Sequence, residues 1–198
     1  MWLALKGDEL FVEAGMLHVW ADAAHAVPEP STRPHTGIFA SAKLGTAKGV
    51  GPILLKSIGA KRQTNSSTGS EIYALSYAVG SICGLIHFNL FMRLYGVDLK
   101  KMVVHEDNQA VLNLVKNDKQ MNVSSKRMQI QRLFIKERIN EHGMDVRCCA
   151  TDVMIADVLT KSLSGRSFNA LILMMVMIIV VNVIINLLYV LIMMLLSQ

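Results

Sequence analysis

The chain reads as an α/β domain in which a mixed sheet of five strands carries helices. Three observations predict this class. Three short apolar runs bounded by glycines and prolines come first, between Met16 and Lys61. The apolar spacing then lengthens to three and four residues from Ile72 onward. After that, strand-like and helix-like stretches alternate as far as Leu163. The resulting order, β-β-β-α-β-α-α-β-α, suits helices packed on a mixed sheet rather than a pure βαβ array.

Taken in order, the run Met16 to Ala21 predicts a first strand that ends at Asp22. VPEPSTRPHTG follows, with three prolines and a glycine, and reads as a loop. TGIFASAKLG and GPILLKSIGAK are strands joined as hairpins. Ile72, Leu75, Val79, Ile82, Ile86 and Leu90 then mark one face of a long helix. Ser66, Ser67 or Thr68 can cap its start and Gly96 can end it. KKMVVHED is the fourth strand and NQAVLNLVKN the next helix, which Asn108 can cap. SSKRMQIQRLFIKERINEHG predicts a third helix with Ile130, Phe134, Ile135 and Ile139 inward. MDVRCCA is a short strand, and TDVMIADVLTKSL a final helix capped by Thr151 or Asp152.

The 198 residues suffice for one domain of ordinary size. A net charge of +5 and a pI near 9.2 are compatible with a polyanionic partner. The bases are clustered. No acid lies between Glu29 and Glu71, where Lys56, Lys61 and Arg62 fall. A second cluster holds Lys116, Lys119, Lys126, Arg127, Arg132, Lys136 and Arg138. Solvated faces of ordinary elements would account for them equally well. Cys83, Cys148 and Cys149 make neither a disulfide framework nor a zinc pattern, which points to reduced thiols in an intracellular protein. The N-terminus lacks the basic flank and apolar core of a signal peptide.

The end of the chain differs from the rest. Beyond Arg166 there is no charged residue. Ala170–Leu196, as a helix, would run ~40 Å, longer than the ~30 Å hydrocarbon core of a bilayer. It is a transmembrane candidate. Its restricted Met, Ile, Val, Leu and Asn usage also suits non-coding DNA read in frame as an extension.

Four acids occupy positions where a lone charge would be costly to bury: Asp22 and Asp107 at strand ends, Glu71 near the start of the long helix, and Asp157 between Ile155–Ala156 and Val158–Leu159. Each alone has a structural explanation: a turn acid, a helix N-terminus, a cap, a surface acid. Together, around one sheet, they suggest a shared carboxylate cluster. Like charges a few ångströms apart raise each other's pKa. A hard divalent cation removes that conflict, and Mg²⁺ bridges readily to phosphate oxygens. Strand alternation separates Glu106 from Asp107: Val103, His105 and Asp107 share one face, and Met102, Val104 and Glu106 the other. Asp107 is therefore the ligand candidate and Glu106 the structural one.

ADAAHAV, RPHTG, SSTGSEIYAL, EDNQAVL, FIKERI and MIADVLTKSL occur in this order and at these spacings. They resemble the ribonuclease H domain that ends the polyprotein of copia-type retrotransposons, over roughly Leu17 to Phe168. The resemblance implies an RNase H-like fold, a five-stranded mixed sheet with its first three strands antiparallel, flanked by helices. It implies metal-dependent hydrolysis of the RNA strand of RNA–DNA hybrids with two Mg²⁺ ions, Mn²⁺ being an alternative. The family's carboxylates fall on Asp22, Glu71, Asp107 and Asp157, as catalytic residues and metal ligands. Lys61, Arg62, Lys126 and Arg127 would track the hybrid.

This sequence departs from the family at Gly69, where a Glu is usual, and at Ser162, where Pro is usual. The apolar tail has no counterpart, and nothing upstream resembles a polymerase, integrase or protease. The expected organisation is an N-terminal remnant over 1–15, the RNase H-like domain over 16–168 and the apolar tail over 169–198. Cytoplasm or nucleus is the expected location, or a membrane if the tail inserts. An inactive nucleic-acid-binding remnant and a tail-anchored membrane protein stand as alternatives.

Overall fold

The computed structural model describes residues 16–25, 34–43, 50–60, 64, 66–93, 101–117, 126–161, 165, 168, 169 and 172; for 43, 50–52 and 83–93 it describes the backbone alone. Lys61, Arg62, Gly96, the segment 1–15 and, apart from Ile172, the apolar stretch Ala170–Leu196 lie outside the described residues.

Five strands form one sheet: β1 (Met16–Ala24), β2 (His35–Lys43), β3 (Val50–Gly59), β4 (Lys101–Glu106) and β5 (Met144–Cys148), in the spatial order β3-β2-β1-β4-β5. The first three are antiparallel neighbours, and β4 and β5 run parallel to β1. Three helices are described: α1 (Ser67–Arg93), α2 (Gln109–Lys116) and α3 (Lys126–His142). This is the predicted class, with the predicted order of strands and helices up to β5.

The central position of β1 explains its sequence. MLHVWADAA is buried along nearly its whole length, because both faces of the strand are covered. Leu17, Val19 and Ala21 face α1 and pack with Ile72, Leu75, Val79 and Ile82. Each of the leucine, isoleucine and valine side chains, fully buried, stabilises the fold by ~1.5–3 kcal/mol. On the opposite face Trp20 packs with Phe39, Met154, Ile155 and Ala156, and Ile172 rests against this second cluster. His18, Trp20 and His105 form a stacked column on that face. Burial, then the neighbouring His18, pushes His105 down to about 3, so its ring is neutral.

Local chemistry sets the helix ends. Ser66 Oγ accepts from the Gly69 N–H at 3.0 Å, so Ser66 is the cap among the three candidates. Asn108 Oδ1 accepts from the N–H groups of Ala110 (3.0 Å) and Val111 (3.3 Å), the cap expected for α2. Gly143, at φ 61°, takes the left-handed conformation that ends α3 and turns the chain into β5.

Two expectations are corrected. TDVMIADVLTKSL is not one helix. It forms two short 3-10 turns, Thr151–Val153 and Ile155–Leu159, because the chain bends at Met154, which is fully buried, to lay Ile155 and Ala156 on the sheet. Ile130 does not point inward: it is 60% exposed, as is Leu133, while Arg132 and Ile135 face in. Arg132 is inward for a polar reason. Its Nε donates to Leu114 O at 2.6 Å, its Nη2 donates to Asn117 O, and Lys136 Nζ donates to the same carbonyl at 3.0 Å. Two bases of the second basic cluster therefore satisfy the C-terminal carbonyls of α2. Lys126 and Arg127, at the start of α3, are exposed.

Candidate metal centre

The acids meet at one end of the sheet. Asp22 lies two residues before the end of β1, opposite Gly37 of β2, and is fully buried. Gly37 is what lets the chain close over it. A Cβ there would lie 2.7 Å from Ala156 O, 2.7 Å from Thr160 Cγ2 and 2.8 Å from Leu159 Cβ. Glu71 is the fifth residue of α1, just past its first turn, and its Oε2 accepts the Ala23 N–H at 2.9 Å. Asp107 directly follows β4 and accepts from Thr151 Oγ1 at 3.1 Å.

A polar clamp joins the end of β1 to the start of α1. His25 Nδ1 lies 2.9 Å from Ser70 Oγ, and Ser70 Oγ lies 2.5 Å from Thr64 Oγ1. Together with the Ala23–Glu71 bond it holds Glu71 against Asp22.

One carboxylate oxygen from each of Asp22, Glu71 and Asp107 lies within 4.8 Å of the other two. An octahedral Mg²⁺ with ligands at ~2.1 Å would hold oxygens about 3–4 Å apart, so small side-chain rotations bring this group to ligand distances. The electrostatics agree. Burial, then the charges of Asp22 and Asp107, push the Glu71 carboxyl up to about 8. Three hard oxygen donors that repel one another are a fit for a divalent cation of the Mg²⁺ or Mn²⁺ kind.

The fourth acid of the sequence reading stands outside this group. Asp157, in the turn Ile155–Leu159, is buried, and its Oδ1 lies 2.7 Å from Lys161 Nζ. The same ammonium lies 3.0 Å from Asp22 Oδ1. Thr160 Oγ1 donates to the other Asp22 oxygen. Burial raises Asp157 to about 6, with the Lys161 bond working against the rise and the Asp22 charge adding to it. Burial disfavours the Lys161 ammonium, but its bonds to Asp157 and Asp22 hold its pKa above the ordinary lysine value.

Thr160 and Lys161 thus complete the site, and neither was among the residues picked from sequence. The signal available was the four-residue step from Asp157 to Lys161. Glu106 is on the α1 face, as the alternation predicts. It is fully buried, its Oε1 accepts the Asn108 N–H at 3.1 Å, and its Oε2 makes no hydrogen bond among the described residues. Burial, then the charge of Glu71, raises its pKa well above the ordinary value.

No family model matches the sequence, and no curated protein matches it. Solved structures do match the fold. RNase H1 from the halophilic archaeon Halobacterium salinarum NRC-1 is 14% identical with a TM-score of 0.53, covering 73% of this chain and 94% of that one. LC11-RNase H1, isolated from compost by a metagenomic approach, is 11% identical with a TM-score of 0.54, covering 74% and 93%; it has also been solved in complex with an RNA/DNA hybrid. The N-terminal RNase H domain of rv2228c from Mycobacterium tuberculosis is 11% identical with a TM-score of 0.52, covering 79% and 95%. Likeness at these identities speaks for the fold: a five-stranded mixed sheet with flanking helices, which is the RNase H-like fold.

Proposed function

We propose that this chain is a copia-type retrotransposon-derived ribonuclease H domain that hydrolyses the RNA strand of RNA–DNA hybrids with divalent metal ions. The observation that carries this reading is the convergence of Asp22, Glu71 and Asp107 at the end of an RNase H-like sheet. Those three residues would hold one ion, and Asp22 with Asp157 would hold a second. Ions bound there would supply Lewis acidity for an attacking water and for the leaving 3′-oxygen of an in-line displacement.

The protein's own part is positioning. Ala23, Thr151 and the His25–Ser70–Thr64 clamp fix the carboxylates before substrate arrives. Lys126 and Arg127, exposed on α3, are suited to phosphate contacts, and Lys61 and Arg62 extend that expectation from sequence. The complex of LC11-RNase H1 with an RNA/DNA hybrid supports the choice of substrate.

The test is cleavage of a labelled RNA–DNA hybrid in Mg²⁺ or Mn²⁺. Wild-type protein is expected to cut the RNA strand. Asp107→Asn is expected to keep its fold and hybrid binding and to lose cleavage. Folded wild-type protein that binds the hybrid in a salt-dependent way without cutting it would instead be an inactive binding remnant.

A further inference from the structure

Asp22 has two sides, and a cation of the protein's own already stands on one of them. Lys161 Nζ lies 3.0 Å from Asp22 Oδ1 and 2.7 Å from Asp157 Oδ1. These distances are those of charge-assisted bonds, and the nitrogen sits between acids from separate elements, β1 and the 3-10 turn. The backbone brings it there. The Lys161 N–H donates to Asp157 O at 2.9 Å, so the two side chains project from one face of a single turn. Both carboxylates are almost wholly buried, whereas the lysine side chain is 34% exposed. The lysine side chain therefore links the buried acids to the protein surface. The other side of Asp22 is different: the hydrogen bonds to Glu71 and Asp107 come from a backbone N–H and a hydroxyl.

A divalent ion held by both Asp22 and Asp157 at ~2.1 Å would overlap the lysine nitrogen. Two cations so close would also repel strongly. We propose that Lys161 is a resident cation on the Asp22–Asp157 side, so that the chain takes one divalent ion firmly beside Glu71 and Asp107 and a second only in exchange for the ammonium. This rests on the metal-site reading above and adds an order of loading to it. At low metal concentration the centre is half divalent and half lysine. The second ion becomes the concentration-dependent step.

The experiment is a Mn²⁺ titration of the full chain, followed by calorimetry and by the electron paramagnetic resonance of free Mn²⁺, without substrate. Wild-type protein is expected to bind one ion firmly and a second weakly. Lys161→Met, which keeps the length of the side chain without its charge, is expected to tighten the second ion at least about tenfold and leave the first unchanged. Lys161→Arg keeps charge and reach and is expected to retain the wild-type pattern.

An unchanged or weakened second ion in Lys161→Met overturns the proposal, since the lysine would then be only a strut for Asp157. So does a second firm ion in Lys161→Arg, which also serves if the methionine variant does not fold. Wild-type and variant proteins that bind no Mn²⁺ at all overturn the metal-site reading itself. One ion with equal affinity in every protein overturns the exchange alone.

Discussion

On one side of Asp22 stand Glu71 and Asp107; on the other stand Asp157 and Lys161. The first side is assembled from three elements distant in sequence, β1, α1 and the end of β4, and its acids are left to repel one another. The second is a local pair four residues apart, neutralised before it meets Asp22. The protonation behaviour records the contrast. Burial is the main cause at both: it pushes Glu71 up to about 8 with the charges of Asp22 and Asp107 adding to the rise, and Asp157 to about 6 with the Lys161 bond opposing it. Long-range assembly can hold like charges together because the rest of the fold outweighs their repulsion. The local turn carries its own counterion.

The largest test of this contrast is the pH dependence of stability without metal. The folded-state pKa of Glu71 lies above its ordinary value of 4.5. Its contribution to stability is therefore fully present below 4.5 and is lost as the pH rises through about 8. The metal-free protein should lose stability on the order of a few kcal/mol across that window. Glu71→Gln should remove its own share of the slope and leave that of Glu106 and Asp157, which are raised as well. Saturating Mg²⁺ should oppose it, because the ion favours the ionised carboxylate. Urea unfolding at a series of pH values measures this, and a flat profile in the wild type would remove the asymmetry between the two sides.

A smaller effect should separate the sides sterically. Gly37→Ala places a methyl group against Ala156 O, a backbone atom that has little room to yield. The cost should be about 1–3 kcal/mol, read as a lowered melting temperature. The displaced elements are the turn Ile155–Leu159 and Thr160, so the second Mn²⁺ ion should weaken while the first holds. Equal weakening of both ions would show that the two sides move as one.

The smallest effect belongs to the first side. Asn108→Ala removes the cap of α2 directly after Asp107 and should cost ~1 kcal/mol in urea unfolding. If Asp107 is held by β4 and Thr151, as the bonds indicate, first-ion affinity should change little. A large loss would make the cap part of the site.

Much of this arrangement was legible beforehand. Alternation along β4 put Asp107 and Glu106 on opposite faces, and their hydrogen bonds differ accordingly: Asp107 accepts from Thr151 and Glu106 from the Asn108 N–H, while Glu71 lies near both. Asn108 as a cap followed from its place before an apolar-periodic run. α3 was read less well. Its apolar residues spread around the helix, so periodicity alone favoured Ile130, and the burial of Arg132 depends on the carbonyls of a different helix. The last segment was read as one helix because its apolar spacing permits one. The sheet instead demanded a bend at Met154.

By itself, the sequence determined the strand and helix order up to β5, the cap of α2, and which acids would stand near apolar residues, because these depend on neighbours a few positions away. Only the tertiary structure decided how the acids are grouped. Whether a carboxylate meets another carboxylate or a lysine depends on which elements cross at the end of the sheet. Here the missing side chain of Gly37 brings Thr160 and Lys161 down onto Asp22, while α1 and β4 bring Glu71 and Asp107 to it from the other side. Electrostatic interaction follows distance in space, and those distances exist only once the sheet has closed.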